Sequence, residues 1–231
     1  IVAYADTLIR TELSLDPTVD GMIWVKKVEN PKAYGVVKMN DVNLITALVE
    51  KPEEFVSDLA VIGIYYFKEG ETIKAELQKT MLQARSEGEE FLLNEGILAM
   101  IEKGAVFTPG TVKEWMDCGN PKITLQTNNK MLDILTAEGN KLVAEDIIME
   151  NSKIIPPCYI GSGVVLKNST VGPYTAIGEG TQIENSTISN SLIQKHSLIQ
   201  NAQLEGAMIG NHVKFDGTFS FVSIGDYSEL S

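Results

Sequence analysis

Between Ile155 and Ile209 aliphatic residues recur at steps of five or six: Ile155, Ile160, Leu166, Val171, Ile177, Ile183, Ile188, Ile193, Ile199, Leu204 and Ile209. Neither the 3.6-residue period of a helix nor the two-residue alternation of a half-buried strand produces that series. A step near six is what one face of a triangular parallel β-helix requires, with one aliphatic side chain turned inward per face. Gly, Ser and Asn fall between and suit the corners. An aliphatic-Gly pair repeats at Ile160-Gly161, Val171-Gly172, Ile177-Gly178, Ile209-Gly210 and Ile224-Gly225. The five-residue steps imply shortened faces or irregular turns. Residues 154–231 are therefore expected to form the solenoid, and the more polar 137–153 a linker into it.

Residues 1–136 follow a different pattern. Met22–Val28, Ala33–Val37, Leu44–Val49 and Leu59–Phe67 read as strands, with a polar hairpin turn at Asn40–Asn43. Ile1–Ala5 reads as a buried parallel strand ending at Asp6, and Leu8–Leu15 as a short helix. Glu71–Ser86 reads as a helix with an apolar stripe of Ile73, Leu77, Met81 and Ala84, followed by a second helix through Leu93, Ile97 and Ile101 to Gly104. Ala105–Thr108 and Thr111–Trp115 read as two strands split by Pro109-Gly110. Asn120 is placed as the N-cap of a further helix, with Pro121 at its first position. The expected architecture is an α/β mixed, Rossmann-like sheet, incomplete because the chain opens on Ile1, in mid-strand. This opening reads as the later part of a longer protein.

Composition narrows the function classes. The 231 residues carry 19 Lys+Arg against 31 Asp+Glu, a net charge of −12. Residues 151–231 hold four Lys and six acids, a charge of −2, so −10 lies in residues 1–150. That surface repels nucleic-acid backbones, and no basic stripe offsets it. The two cysteines, Cys118 and Cys158, show no metal-ligand spacing and read as reduced thiols of a cytoplasmic protein. No apolar run approaches a membrane span. Nucleic acid and membrane are not expected partners.

The charged residues at strand ends are the candidates for chemistry. In open α/β sheets ligands bind beyond the carboxyl ends of strands. Asp117 closes the run Thr111–Trp115-Met116, and Asp6 follows Ile1–Ala5. Each is a hard oxygen donor able to hold a metal ion against a phosphate, or simply a turn cap. In Glu50-Lys51-Pro52 the proline is expected to hold Lys51 extended, so neighbouring side chains point to opposite faces. Glu50 can accept from sugar hydroxyls and Lys51 can hold a phosphate; a solvated charged turn is the plainer reading. Gly63, inside the apolar strand, marks a close approach of ligand or backbone. Tyr65 and Tyr66 offer polar tips or pack in a core.

Ala5-Asp6, Tyr34-Gly35-Val36, Glu50-Lys51-Pro52, Ala60-Val61-Ile62-Gly63-Ile64-Tyr65 and Trp115-Met116-Asp117-Cys118-Gly119, in this order, resemble the sugar-1-phosphate nucleotidylyltransferases. The glucose-1-phosphate thymidylyltransferases with a C-terminal left-handed β-helix are the nearest likeness. It covers residues 1 to about 135, and the hexapeptide tail extends it. The resemblance implies transfer of a nucleotidyl group from a nucleoside triphosphate, dTTP favoured, to a sugar 1-phosphate, glucose favoured, with release of pyrophosphate. It assigns Asp6 and Asp117 to Mg²⁺, Gly35, Glu50, Val61 and Tyr65 to the sugar, and Lys51 to the sugar phosphate as the catalytic residue. Two departures stand out. Phe91 replaces an acid in Gly88-Glu89-Glu90-Phe91-Leu92-Leu93-Asn94, leaving open whether Glu89 or Glu90 substitutes. The family's glycine-rich phosphate loop is not found, so these residues alone are expected to be inactive. Two alternatives stand beside this reading: a hexapeptide-repeat acyltransferase using His196 or His212, and a non-catalytic scaffold of the same fold. In each case the tail favours a homo-oligomer.

Overall fold

The computed structural model describes residues 1–82, 91–217 and 223–230. The chain divides into two compact units, Ile1–Met116 and Asp117–Ser231.

The first unit is built on a six-stranded mixed sheet. Its strands are β1 (Val2–Ala3), β3 (Gly21–Lys27), β4 (Val36–Met39), β5 (Ile45–Val49), β6 (Leu59–Phe67) and β7 (Phe107–Thr111). The order is β5-β4-β6-β3-β7, with β1 also on β6; β3 and β7 run parallel and the other pairs antiparallel. β2 (Thr7–Arg10) and β8 (Glu114–Asp117) form a separate pair. Alternation along β3 divides the core. Ile23 and Val25 pack with Val37, Phe67, Ile73, Ile97 and Phe107, whereas Met22 and Trp24 pack with Val19, Ile62, Ile64 and Val112.

Helices α1 (Gly70–Met81) and α2 (Leu93–Glu102) join the first of these clusters through Ile73, Ile97 and Met100. Gly104, at φ +94, ends α2: its N–H donates to the Ile101 carbonyl at 2.9 Å, and Ala105 N–H reaches back to Met100 O at 3.0 Å. Ile73 and Leu77 of the expected stripe turn inward, but Met81 is 61 % exposed, and Ala84 lies outside the described residues. Glu76 is buried instead, bonded to Lys79 Nζ at 2.8 Å and to Lys103 Nζ.

Three local expectations are overturned. β1 is two exposed residues pairing antiparallel with Ile64 and Tyr65, not a buried parallel strand. Thr7–Arg10 is a strand where Leu8–Leu15 reads as helix: Thr7 Oγ1 donates to Ile62 O at 2.9 Å and β8 supplies a ladder, so tertiary pairing decides. Pro109-Gly110 does not break the chain but sits inside β7. As the sheet's edge strand, β7 tolerates a residue with no N–H. Gly110 is required there, because a Cβ would stand 2.6 Å from the Trp24 indole nitrogen.

The second unit begins with α3 (Pro121–Ala137), capped by Asn120, whose Oδ1 accepts from Ile123 N–H at 3.0 Å. A parallel β-solenoid follows, consistent with a left-handed β-helix. Its three sheets have inward rows Ile154-Val171-Ile188-Leu204, Ile160-Ile177-Ile193-Ile209-Ile224 and Leu166-Ile183-Ile199-Phe215. On the first sheet, register advances from Lys153 to Thr170, Thr187 and Gln203, or 17, 17 and 16 residues per coil. Coils one or two residues short of three hexapeptides are the source of the five-residue steps. The ladders also take in Ile148–Glu150 and Lys153, and Val143 bridges Ile160, so residues expected to be linker supply part of the first coil.

Contacts between coils explain the small residues. A Cβ on Gly161 would stand 2.7 Å from the Glu179 backbone nitrogen, and one on Gly178 2.7 Å from that of Lys195. At one corner Asn151, Asn168, Asn185 and Asn201 all take positive φ, from +47° to +51°. Their amides bond coil to coil at 3.0, 3.2 and 3.3 Å, and Asn201 ends the ladder on Asp216 Oδ1 at 2.8 Å. Buried hydroxyls of Ser169 and Ser186 accept from backbone N–H groups of the next coil, of Ser186 and Ala202, at 3.1 and 3.0 Å. These amides and hydroxyls thus have partners that repeat from coil to coil.

Candidate functional site

Gly35, Glu50, Val61 and Tyr65 are brought together by β4, β5 and β6. Gly35 immediately precedes β4, and its carbonyl accepts from Val61 N–H at 2.8 Å, which locks the loop before β4 onto β6. Glu50 follows β5. Its Oε2 lies 2.8 Å from the position a Cβ on Gly35 would take, so any larger residue at 35 displaces the carboxylate. Val61 is half-buried against the helix-side core. Tyr65 is 2 % exposed, with its ring 5.7 Å from that of Tyr4. Burial first, then Tyr4 and Glu50, push its hydroxyl far above the ordinary tyrosine range, so it stays protonated.

Lys51 departs from the expected geometry. Its φ is +41°, and its N–H donates to Tyr34 O at 3.1 Å, so the chain leaves β5 through a tight turn before Pro52. The bond to Tyr34 fixes this turn against the preference that proline imposes on its predecessor. Glu50 and Lys51 therefore do not obey strand alternation. Gly63, at φ +78, sits where β6 bulges between the pairs Ile23–Tyr65 and Val25–Val61. The close approach anticipated there is by the Tyr4 ring, 2.9 Å from a Gly63 Cβ position.

Asp6 lies in the exposed turn before β2. Asp117 is half-buried, the first residue of the second unit; its Oδ1 accepts from Gly119 N–H at 2.8 Å and its carbonyl from Thr127 Oγ1 at 2.6 Å. Among the described residues no three His, Cys, Asp or Glu side chains cluster to hold a metal unaided. A carboxylate is the kind of oxygen donor that a hard ion takes beside water and phosphate oxygens. Glu89 and Glu90 lie outside the described residues.

Asn94 joins the site without having been anticipated: its Nδ2 donates to Glu50 Oε2 at 3.3 Å. In the sequence it is only the last residue of the segment in which an acid is missing. His196 and His212, both at positive φ, stack at a solenoid corner with centroids 5.2 Å apart, and Tyr227 stacks on His212 at 4.8 Å. Both cysteines are free thiols. No helix among the described residues is long and apolar enough to cross a membrane.

An acid thus follows β5, a glycine precedes β4 and a buried tyrosine lies within β6 of a mixed α/β sheet, and a parallel β-solenoid follows. The nucleotidyl transferase family model matches residues 4–134, and the chain belongs to that family. It is 28% identical over 208 residues to the glucose-1-phosphate thymidylyltransferase of Streptomyces antibioticus, covering 83% of this chain and 56% of that protein. It is 33% identical over 131 residues to the bifunctional protein GlmU of Methanocaldococcus jannaschii, covering 57% of this chain and 31% of that one. It is 31% identical over 145 residues to the mannose-1-phosphate guanylyltransferase catalytic subunit beta of Drosophila pseudoobscura pseudoobscura, covering 62% and 36%. The chain thus spans between about a third and just over half of these relatives' length.

Proposed function

We propose that this chain supplies the sugar-phosphate side and the metal-holding acids of a nucleotidyl transfer from a nucleoside triphosphate to a sugar 1-phosphate. The observation that carries the reading is the Glu50 carboxylate seated in the notch left by Gly35, close enough to Tyr65 to raise its hydroxyl electrostatically. That arrangement offers an acceptor to sugar hydroxyls. Of the similar proteins, one is named a glucose-1-phosphate thymidylyltransferase and another a mannose-1-phosphate guanylyltransferase catalytic subunit; the longer match, to the first, favours dTTP and glucose 1-phosphate.

In this reading Gly35, Glu50, Val61 and Tyr65 bind the sugar, and the Lys51 ammonium neutralises its phosphate. That phosphate attacks the α-phosphorus of the triphosphate, and pyrophosphate leaves. The nucleophile is already an anion, so the residues position and neutralise rather than remove a proton. Asp6 and Asp117 would hold Mg²⁺, which supplies charge neutralisation on the phosphates when bound. Self-association through the solenoid and a cytoplasmic location belong to the same proposal.

The test is pyrophosphate release with Mg²⁺, pairing each nucleoside triphosphate with glucose, mannose and N-acetylglucosamine 1-phosphates. It is run on these 231 residues and on the longest reading-frame product that contains them. Release is expected from the longer product, strongest with dTTP and glucose 1-phosphate, and not from the 231 residues alone. Silence from both in every pairing would contradict the transferase reading.

A further inference from the structure

Asn94 stands on the first turn of α2, and its amide is the one side-chain hydrogen-bond donor to Glu50 among the described residues. The oxygen it grips, Oε2, is also the one pressed into the Gly35 notch. One carboxylate oxygen is therefore bonded to Asn94, in the room that a glycine at 35 leaves. Oε1 accepts no hydrogen bond among the described residues. Resting on the transferase reading, we infer that Asn94 is a positioning residue that presents Glu50 Oε1 to vicinal hydroxyls of the phosphosugar.

The chemistry of the pair explains why an amide does this better than other polar groups. The terminal torsion of an exposed glutamate is broad, so an unheld carboxylate samples many orientations. A lysine at 94 would form an ion pair that hydroxyl groups must displace, and an acid would repel Glu50. Asparagine donates once through Nδ2 and retains Oδ1 as an acceptor. Glu50 Oε1 and Asn94 Oδ1 then form an acceptor pair, matching the two donors of a vicinal diol. A sugar phosphate lacking one of those hydroxyls leaves an acceptor unpaired.

The experiment is calorimetric titration of this chain, Asn94→Ala and Asn94→Asp with glucose, mannose and N-acetylglucosamine 1-phosphates from pH 8 down to pH 5.5. Asn94→Ala is expected to weaken binding about tenfold at every pH, the scale of one hydrogen bond to a charged group. Asn94→Asp should weaken it at least as much at pH 8 and recover towards the wild-type value at low pH. There the two carboxylates share a proton and the bridge re-forms. The ligand phosphate itself titrates at about pH 6, so the effect of Asn94→Asp is read as the ratio of variant to wild-type affinity at each pH. Unfolding midpoints check that each variant is folded; Asn94→Ser, which keeps a donor, should recover part of the loss. If the wild-type chain binds none of the three sugar phosphates, the transferase reading itself fails. If it binds, and the Asn94 variants are unchanged or weaken alike without pH dependence, the positioning role fails and the reading survives.

Discussion

The two units solve the problem of burying a sheet in opposite ways. In the solenoid every environment recurs: Leu166, Ile183 and Ile199 occupy one row, each fully buried, and Asn151, Asn168, Asn185 and Asn201 repeat one corner conformation. In the α/β unit the informative residues lie where regularity breaks. Gly63 bulges β6, Lys51 turns left-handed after β5, and Gly35 leaves a notch that a carboxylate fills. Repetition supplies rigidity at low design cost, whereas an acceptor can be aimed at a ligand only by departing from it.

That contrast is sharpened first in the solenoid core. Ile183→Ala and Ile199→Ala should each destabilise the second unit by about 3–4 kcal/mol, and by the same amount within error, because they leave equivalent cavities. Denaturant unfolding measures both; clearly unequal values would break the claim of recurring environments.

Gly178→Ala comes next. Its Cβ would fall 2.7 Å from the Lys195 backbone nitrogen, and backbone does not yield cheaply. A loss of about 2–3 kcal/mol is expected from this overpacking, and Gly161→Ala should match it.

In the α/β unit, Gly63→Ala should cost about 1–2 kcal/mol through its positive φ and its clash with the Tyr4 ring. Unlike the solenoid substitutions it should also be partly rescued by a second change, Tyr4→Ala, which removes the clash but not the backbone strain. Full additivity in a double-mutant cycle would show that the ring contact contributes nothing.

The smallest effect is one of pH. Hydrogen bonds from Lys103 and then Lys79 hold the Glu76 carboxyl below its ordinary value of 4.5. A depressed carboxylate stabilises the fold fully above its unfolded pKa, and that contribution is lost as pH falls through the lowered native value. Acid unfolding of Glu76→Gln should accordingly depend less on pH below about pH 4.5 than that of the wild type. An unchanged acid limb would show that the ion pairs are mere surface contacts.

The same contrast governs what could be read from sequence. The solenoid was legible because its inward residues repeat, and even its irregularity, the five-residue step, is visible as 16- and 17-residue coils. The part of its first coil before Ile154 was read as linker because Ile148–Glu150 and Lys153 are exposed and so carry little apolar signal. In the α/β unit Leu59–Phe67 and the Asn120-Pro121 helix start have local causes and were legible. Thr7–Arg10 and the continuous β7 were not, because pairing with β8 and an edge position decide them. Lys51 was misread since a long-range bond to Tyr34 outweighs the proline rule. Asn94 was invisible because nothing local links it to Glu50, 44 residues away.

The proposed chemistry lies around Glu50 and Asp117, and the role proposed for the solenoid is structural. The direct test is pyrophosphate release by the longest reading-frame product carrying either Asp117→Asn or the pair His196→Ala and His212→Ala. Asp117→Asn is expected to abolish release, and the histidine pair to leave it unchanged. Release that survives Asp117→Asn, or that disappears with the two histidines, would contradict it.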